Sequence, residues 1–260
     1  MPRTPQHATR AHIAGKRRMP LGLTSAQWAG VPADVRERAL FSACVTDARF
    51  LEQIRKVAHA VTSGEMGEEQ AKGRLAAWLD ATGYEPEPGE AGTIKDLSSD
   101  QRLHVIVDTN AKLAEGFGRY AWQAERQRLF PFVEMYRAER RMEPRDWPSR
   151  WRRAGARAVR GRFLARFGDP VWERISRFGQ PYPIFDFNSG MWTRMVTAAQ
   201  AKRMGARVPE TIKPVAVRRR MNDGLMTTST RRMGKEIGKA VAKHLSGFRL
   251  GSDGVLRRVR

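Results

Sequence analysis

The chain has 260 residues, and its 48 Lys and Arg against 27 Asp and Glu give it a formal net charge of +21. Hydrophobic residues make up 41% of the chain, which is enough for a folded core and excludes disorder throughout. Its single cysteine, Cys44, excludes an intramolecular disulfide and a thiolate-rich zinc site. Self-repulsion at this charge is relieved best by a polyanion, so the composition favours nucleic acid as a partner.

An anionic membrane would also attract a basic chain, but the sequence lacks an apolar run of the roughly 18 to 20 residues that a membrane span needs. The basic residues at its start are not followed by the apolar stretch of a signal peptide. We therefore expect no membrane partner, and synthesis and assembly in the cytoplasm. Cys44 lies among apolar residues, which is typical of a small buried side chain rather than a nucleophile.

The first predicted elements are a basic, flexible segment over residues 1–31 and a helical bundle over residues 32–84. Apolar residues in the bundle recur at three- and four-residue spacing, which predicts two or three helices. Gly64 and Gly83 follow the two clearest of them. The apolar face of the middle helix is predicted to contain Leu51, Ile54, Val57, Ala58 and Val61.

A linker is predicted over residues 85–97, because its Glu-Pro-Glu-Pro-Gly sequence is incompatible with a helix. A second block follows over residues 98–192. Its first helix is predicted to start at Ser98, with Gln101 at the spacing of a capping box. Asn110 lies on the apolar stripe of this helix, so we expect it to make a buried polar contact.

Residues 130–192 are predicted to be compact but irregular, with minor strand content. The stretch 154–167 is compatible both with a helix and with a strand and turn, and the sequence does not decide between them. The tryptophans Trp147, Trp151 and Trp172 could stack on exposed bases. Core packing is favoured, because an irregular region short of aliphatic residues needs their large apolar area to fold.

The last predicted region is a basic C-terminal arm over residues 193–260, with a helix near residues 230–245. Lysines recur every fourth residue on one side of that helix, opposite an apolar face. Each phosphate contact would add a salt-dependent contribution to DNA affinity, and no base-reading module is recognisable. The residues predicted to bind nucleic acid, without sequence specificity, are Arg218, Arg219, Arg220, Arg231, Arg232, Lys235, Lys239, Lys243, Arg257, Arg258 and Arg260.

The predicted fold is therefore mainly α. An N-terminal helical bundle is followed by a compact irregular α region with minor β content, rich in Trp and Pro, and then by a basic helical C-terminal arm. The histidines are scattered without metal-ligand spacing, and no zinc-protease helix, nucleophile elbow or Walker loop occurs. We expect no catalytic residue, no metal, no cofactor and no small-molecule substrate.

One catalytic alternative is a metal-dependent nuclease, because Asp and Glu can hold magnesium around a phosphate. Its candidate residues are Glu139, Glu143 and Asp146, which are interleaved with arginines. Ion pairing on a mixed-charge surface is the favoured interpretation of this pattern. The Gly116-Phe117-Gly118 sequence is a weak candidate for a phosphate loop, since no strand precedes it.

Several motifs have an order that resembles a known family. Residues 102–110, Arg-Leu-His-Val-Ile-Val-Asp-Thr-Asn, run into Gly-Phe-Gly-Arg ending at Arg119. Residues 143–151 then lead through Asp-Pro-Val-Trp at residues 169–172 to Pro-Tyr-Pro at residues 181–183 and the segment 185–191. This order is similar to that of the bacteriophage Mu F-like head morphogenesis proteins, also called minor head or minor capsid proteins. The similarity covers residues 41–191.

The resemblance implies a non-catalytic minor head protein whose family core spans residues 98–192. Such a protein would act in procapsid assembly near the portal and contact packaged DNA. Its expected partners are the portal or major capsid protein and DNA, and its expected location is the head interior or portal vertex of the virion, after assembly in the host cytoplasm. The positions expected to be structural in the core are Asn110, Arg119, Trp147, Trp151, Trp172, Pro181 and Asp186.

One departure from the family concerns metal binding. Many relatives carry a His and a closing Cys-x-Cys in the second stretch, whereas this chain has Asn188-Ser189-Gly190 at its close. We therefore predict no metal site there. A general nucleic-acid-binding protein without any phage role is the remaining alternative.

Overall fold

The computed structural model describes residues 4–40, 42–215, 227–229, 235–245 and 247–259. In these ranges helices predominate over strands, and the strands form two small antiparallel sheets. The prediction of a mainly α protein is confirmed at this level.

Six helices form the first half of the chain. They are α1 (Pro5–Gly15), α2 (Ser25–Gly30), α3 (Ala33–Arg38), α4 (Ala48–Ser63), α5 (Glu68–Ala81) and α6 (Asp100–Ala124). Helix α4 ends at Gly64, whose φ of 78° is the left-handed conformation that glycine adopts without strain. Its predicted face is confirmed, because Leu51, Ile54, Val57 and Ala58 are buried and Val61 packs against the same cluster.

The prediction of a flexible segment over residues 1–31 is wrong for its described part. Helix α1 begins after the cap residue Thr4 and lies along α6 with its Ala8 and Ile13 buried. Gly118 of α6 permits this approach, because a Cβ there would lie 2.1 Å from the hydroxyl oxygen of Thr9. The contact joins residues far apart in sequence, so local composition could not reveal it.

The helical bundle consists of α1, α4, α5 and α6. The predicted linker over residues 85–97 does not separate two packing units, because α4 and α5 before it share one apolar cluster with α6 after it. Helix α6 is capped by Ser99 rather than Ser98, since the Ser99 hydroxyl accepts the backbone N–H of Arg102 at 3.2 Å. The prediction for Asn110 is confirmed. It is fully buried and its Nδ2 donates to the carbonyl of Ile106 at 2.8 Å.

The middle of the chain contains the first sheet and three short helices. These are β1 (Phe132–Arg137), α7 (Trp147–Arg153), β2 (Phe163–Arg166), α8 (Val171–Ile175), β3 (Met191–Val196) and α9 (Ala198–Arg203). The strand order is β2-β1-β3, and Val133 of β1 lies opposite both Ala165 and Met195. Residues 154–167, left open by the sequence, therefore contain a turn and a strand.

Packing around the tryptophans agrees with the prediction of a core role. Trp147, Trp151 and Trp172 are each about 1% exposed, and the Trp151 and Trp172 rings meet edge to face with centroids 5.2 Å apart. Gly116 has a packing role as well, because a Cβ there would lie 1.7 Å from the carbonyl oxygen of Pro183. The two glycines of the Gly-Phe-Gly sequence thus allow two distant segments to pack closely against α6.

The other positions expected to be structural differ in burial. Asp186 is buried, and its carboxylate lies 2.7 Å from Arg150 and 3.3 Å from Arg145. Pro181 is half-buried. Arg119 is a correction to the predicted core, because it is exposed and its guanidinium lies over the Trp192 ring, 5.3 Å from the centroid. Cys44 is likewise exposed rather than buried.

The C-terminal region folds more than predicted. It contains β4 (Thr227–Ser229), α10 (Lys235–His244), β5 (Phe248–Leu250) and β6 (Val255–Arg258), with sheet order β4-β6-β5. Helix α10 confirms the predicted helix near residues 230–245, but the described part of the region packs against the N-terminal region instead of forming a separate arm. Val241, Leu245 and Leu256 are buried in one cluster with Trp28 and Val35 of the N-terminal region. The abundant basic residues hide this short apolar pattern in the sequence.

Candidate nucleic-acid interface

The predicted nucleic-acid-binding residues divide into two groups. Outside the described residues lie Arg218, Arg219, Arg220, Arg231, Arg232 and Arg260. Lys235 is the first residue of α10, but its side chain is also outside the described set. Lys239, Lys243, Arg257 and Arg258 remain, and all four side chains are exposed.

Helix α10 places Lys239 and Lys243 one turn apart, opposite the buried Val241. Lys239 is partly neutralised, because its Nζ lies 2.9 Å from a carboxylate oxygen of Glu236. Lys243 has no ion pair among the described residues. Burial lowers the pKa of the neighbouring His244, and the charge of Lys243 lowers it further. The exposed side of this helix is therefore basic through its lysines rather than through the histidine.

The β5–β6 hairpin continues the basic surface. Arg249 lies directly opposite Arg257, and both are exposed. Arg257 donates to Asp253 at 2.9 Å, and this hydrogen bond holds the pKa of Asp253 at about 2. Arg249 and Arg258 have no such acid partner in the described part of the chain. Of these arginines, Arg249 was missed from the sequence, because its strand was not predicted.

A second basic surface lies on the first sheet and was also missed. Arg160, Arg162 and Arg203 line one open depression between the turn that precedes β2 and the end of α9, together with Gln200 and Met204. We call it the arginine depression. All three arginines are exposed.

The turn that carries two of these arginines is a two-residue hairpin. Val159 and Arg162 exchange both backbone hydrogen bonds, at 2.9 and 3.0 Å. The residues between them, Arg160 and Gly161, have φ values of 50° and 79°. This geometry favours Asn or Gly at both positions, so an arginine at the first is locally unfavourable. Gly161 at the second turn position, directly after Arg160, is a signal in the sequence for this turn.

Among the described residues, acidic groups neutralise one of the three arginines in the depression, Arg162. Arg162 donates to Glu134 at 2.9 Å, and Glu134 is buried and also accepts from Arg194 at 2.8 Å. Arg160 and Arg203 form no ion pair within the described ranges. A Cβ on Gly205 would lie 2.8 Å from the Nε of Arg160, so the glycine lets this guanidinium rest against the chain. The depression thus keeps an excess of positive charge in a defined position.

The carboxylates of the nuclease alternative have other contacts. Glu139 lies 2.8 Å from Lys112, and the hydrogen bond from Lys112 contributes most to lowering the pKa of Glu139. Asp146 caps α7 by accepting the backbone N–H of Ser149 at 3.0 Å, and Glu143 is exposed. Over the described residues, no three His, Cys, Asp or Glu side chains are grouped so that they could hold a metal ion. The described residues therefore offer no observation in favour of the nuclease.

No family model, curated protein or solved structure matches this chain. The resemblance to the Mu F-like head proteins therefore stays a prediction. Within the described ranges, every helix is too short or too polar to cross a bilayer.

Proposed function

We propose that this protein binds the phosphate backbone of nucleic acid without sequence specificity and acts as a structural, non-catalytic protein. The observation that carries the proposal is the arginine depression, where Arg160 and Arg203 are exposed without acid partners among the described residues, in a chain of net charge +21. The basic surface of α10, β5 and β6 would add further phosphate contacts.

The chemistry of the side chains supports phosphate as the ligand. A guanidinium presents a planar fork of N–H donors that matches two phosphate oxygens. Each neutralised phosphate releases condensed counterions, so affinity would fall steeply with salt. Contacts of this kind position a protein on DNA but do not read base sequence. The depression is open, which suits a continuous polymer better than a small enclosed ligand.

The test compares two double variants of equal net charge. Arg160→Gln with Arg203→Gln removes the two unpaired arginines of the depression. Binding to duplex DNA of random sequence is measured over a range of salt concentrations. We expect the slope of log binding constant against log salt concentration to become shallower by about 0.9 for each lost phosphate contact. Affinity at low salt should fall in parallel.

The matched control is Arg49→Gln with Arg55→Gln on α4. These arginines are paired with Asp47 and Glu52, so their loss should change the slope much less. Equal effects of the two double variants would show that only net charge matters, and would contradict a defined contact surface. Unchanged binding of the depression variant would contradict the proposal outright.

We further propose that the setting of this activity is phage head assembly, with the portal or major capsid protein as partner and the virion head as the location. The support is the order of motifs over residues 41–191 together with the strong positive charge. Tagged protein should be purified from cells that express the neighbouring capsid and portal genes. Recovery of portal or procapsids is the expected result. Recovery of nucleic acid alone would favour the general nucleic-acid-binding alternative.

A further inference from the structure

A small cavity lies where α2 and α3 meet the segment over residues 177–187. Its volume is about 40 Å³, which is more than the roughly 10 to 15 Å³ that one water molecule needs. The residues that matter for its chemistry are Lys16, Trp28, Arg36, Phe178, Gln180 and Phe187. We call it the Lys16 cavity. None of these residues belongs to the two basic surfaces described above.

Lys16 supplies the first buried cation. The residue is 5% exposed, and its Nζ donates to the carbonyl oxygens of Glu37 at 2.9 Å and Ala39 at 3.3 Å. An ammonium has three hydrogens, so one donor is left over. Burial lowers the pKa of Lys16 to about 8, although the charge of Glu37 acts against the shift.

Arg36 supplies a second cation at the same cavity. Its Nη1 donates to the carbonyl of Arg177 at 3.1 Å, while its Nε is buried without a hydrogen-bond partner in the described part of the chain. Burial lowers the pKa of Arg36, and Arg36 forms no ion pair among the described residues. The left-handed Gly179, with φ of 69°, brings the neighbouring segment against α3, because a Cβ there would lie 2.8 Å from the Cβ of Ala33. The half-buried Arg36 guanidinium is thus held beside the cavity without an acid partner among the described residues.

Two neutral polar atoms at the cavity are also unsatisfied. Trp28 is 5% exposed and Gln180 is 3% exposed, and the Nε1 of Trp28 and the Oε1 of Gln180 are buried without hydrogen-bond partners among the described residues. Buried polar groups in folded proteins almost always have a partner. A water molecule could satisfy these two atoms, but it would not compensate the charge of Arg36. The charge of Lys16 is partly compensated by the buried Glu37.

We propose that the Lys16 cavity binds a carboxylate group. The Arg36 guanidinium and the third N–H of Lys16 would donate to its two oxygens, and the Trp28 indole N–H offers a further donor. The rings of Trp28, Phe178 and Phe187 would cover a short apolar body attached to the carboxylate. The group belongs either to a free small acid or to the acidic side chain of a protein.

The test follows the indole N–H signals of the full chain by nitrogen-15 NMR. The chain has seven tryptophans, and a Trp28→Phe variant identifies the Trp28 signal by its disappearance. Sodium acetate and sodium propionate are titrated against sodium chloride at equal ionic strength. A saturable shift of the Trp28 signal with the carboxylates and not with chloride is expected. Equal shifts with chloride, or no shift, would overturn the proposal whatever any variant does.

Arg36→Gln and Arg74→Gln form a matched pair of variants, because Arg74 is exposed on α5 and does not line the cavity. Acetate binding should weaken roughly tenfold or more in Arg36→Gln, the loss of one charge-assisted hydrogen bond, and stay unchanged in Arg74→Gln. The other indole signals show that each variant is folded. Equal binding by the two folded variants would contradict the assignment.

A last arm separates the two sources of the carboxylate. A blocked peptide Gly-Gly-Glu-Gly, which carries a single carboxylate on its side chain, is added to the acetate-bound protein. Displacement of acetate supports a protein side chain as the occupant. Retention of acetate supports a free small acid.

Discussion

Three cations of the helical bundle have acid partners, whereas two arginines of the arginine depression have none among the described residues. In the bundle Arg49, Arg55 and Lys72 each lie close to an acid, with Lys72 2.6 Å from Asp100. In the depression Arg160 and Arg203 form no ion pair in the described structure. The two arginines of the depression are therefore not neutralised by a described acid, and an outside anion would compensate them.

The largest expected effect tests the close contact between α6 and residues 181–183. Gly116→Ala would place a Cβ against a backbone oxygen that cannot move as a side chain would, so we expect a loss of about 3 kcal/mol or more of unfolding free energy. Gly73→Ala on α5 is the control, because its Cβ would meet nothing within 4 Å. It should gain about 0.5 to 1 kcal/mol. Chemical denaturation measures both, and similar changes would contradict the packing described.

The next effect concerns the buried cation in the Lys16 cavity. The folded pKa of Lys16 is lowered to about 8 from 10.5, so the unfolded chain binds more protons between these values and stability rises with pH across this window. Lys16→Met removes this dependence. The quantity of interest is the unfolding free energy of Lys16→Met minus that of the unsubstituted chain. We expect this difference to be about 2 kcal/mol larger at about pH 7 than at about pH 10.

The difference between the two chains is the quantity to measure, since other titrations cancel in it. Denaturation at both pH values, in a buffer without carboxylates, gives it directly. A difference that does not change with pH would show that Lys16 is not buried as a cation.

A smaller effect tests the C-terminal basic surface. Lys243→Gln, Arg249→Gln and Arg258→Gln together remove three exposed cations without acid partners among the described residues. We expect about a tenfold loss of DNA affinity at low salt and a shallower salt dependence. Filter binding or fluorescence anisotropy measures both.

The control for that variant removes three cations that have acid partners, namely Arg49→Gln, Arg55→Gln and Lys95→Gln. It should lose clearly less affinity. If the two triple variants bind DNA alike, the contrast between paired and unpaired cations has no functional meaning.

The sequence was sufficient where the pattern is local. The apolar spacing of α4, the burial of Trp151 and the position of α10 were all predicted correctly. Contacts between distant segments were not predictable. Nothing near residues 1–31 indicates that Gly118 makes room for α1.

The candidate site shows the same limit. Charge alone indicated a nucleic-acid surface and placed it at the C-terminus. The arginine depression depends on the pairing of β2 with β1 and on the position of α9, which bring Arg160 and Arg203 together. Arg249 depends on a strand that basic residues obscure.

The most direct test of the central claim is arginine protection. The full chain is treated with phenylglyoxal, with and without random-sequence duplex DNA, and modified arginines are mapped by mass spectrometry. We predict that DNA protects Arg160 and Arg203 strongly and leaves Arg49 as reactive as before. Equal modification of Arg160 and Arg203 in the two samples would contradict the account.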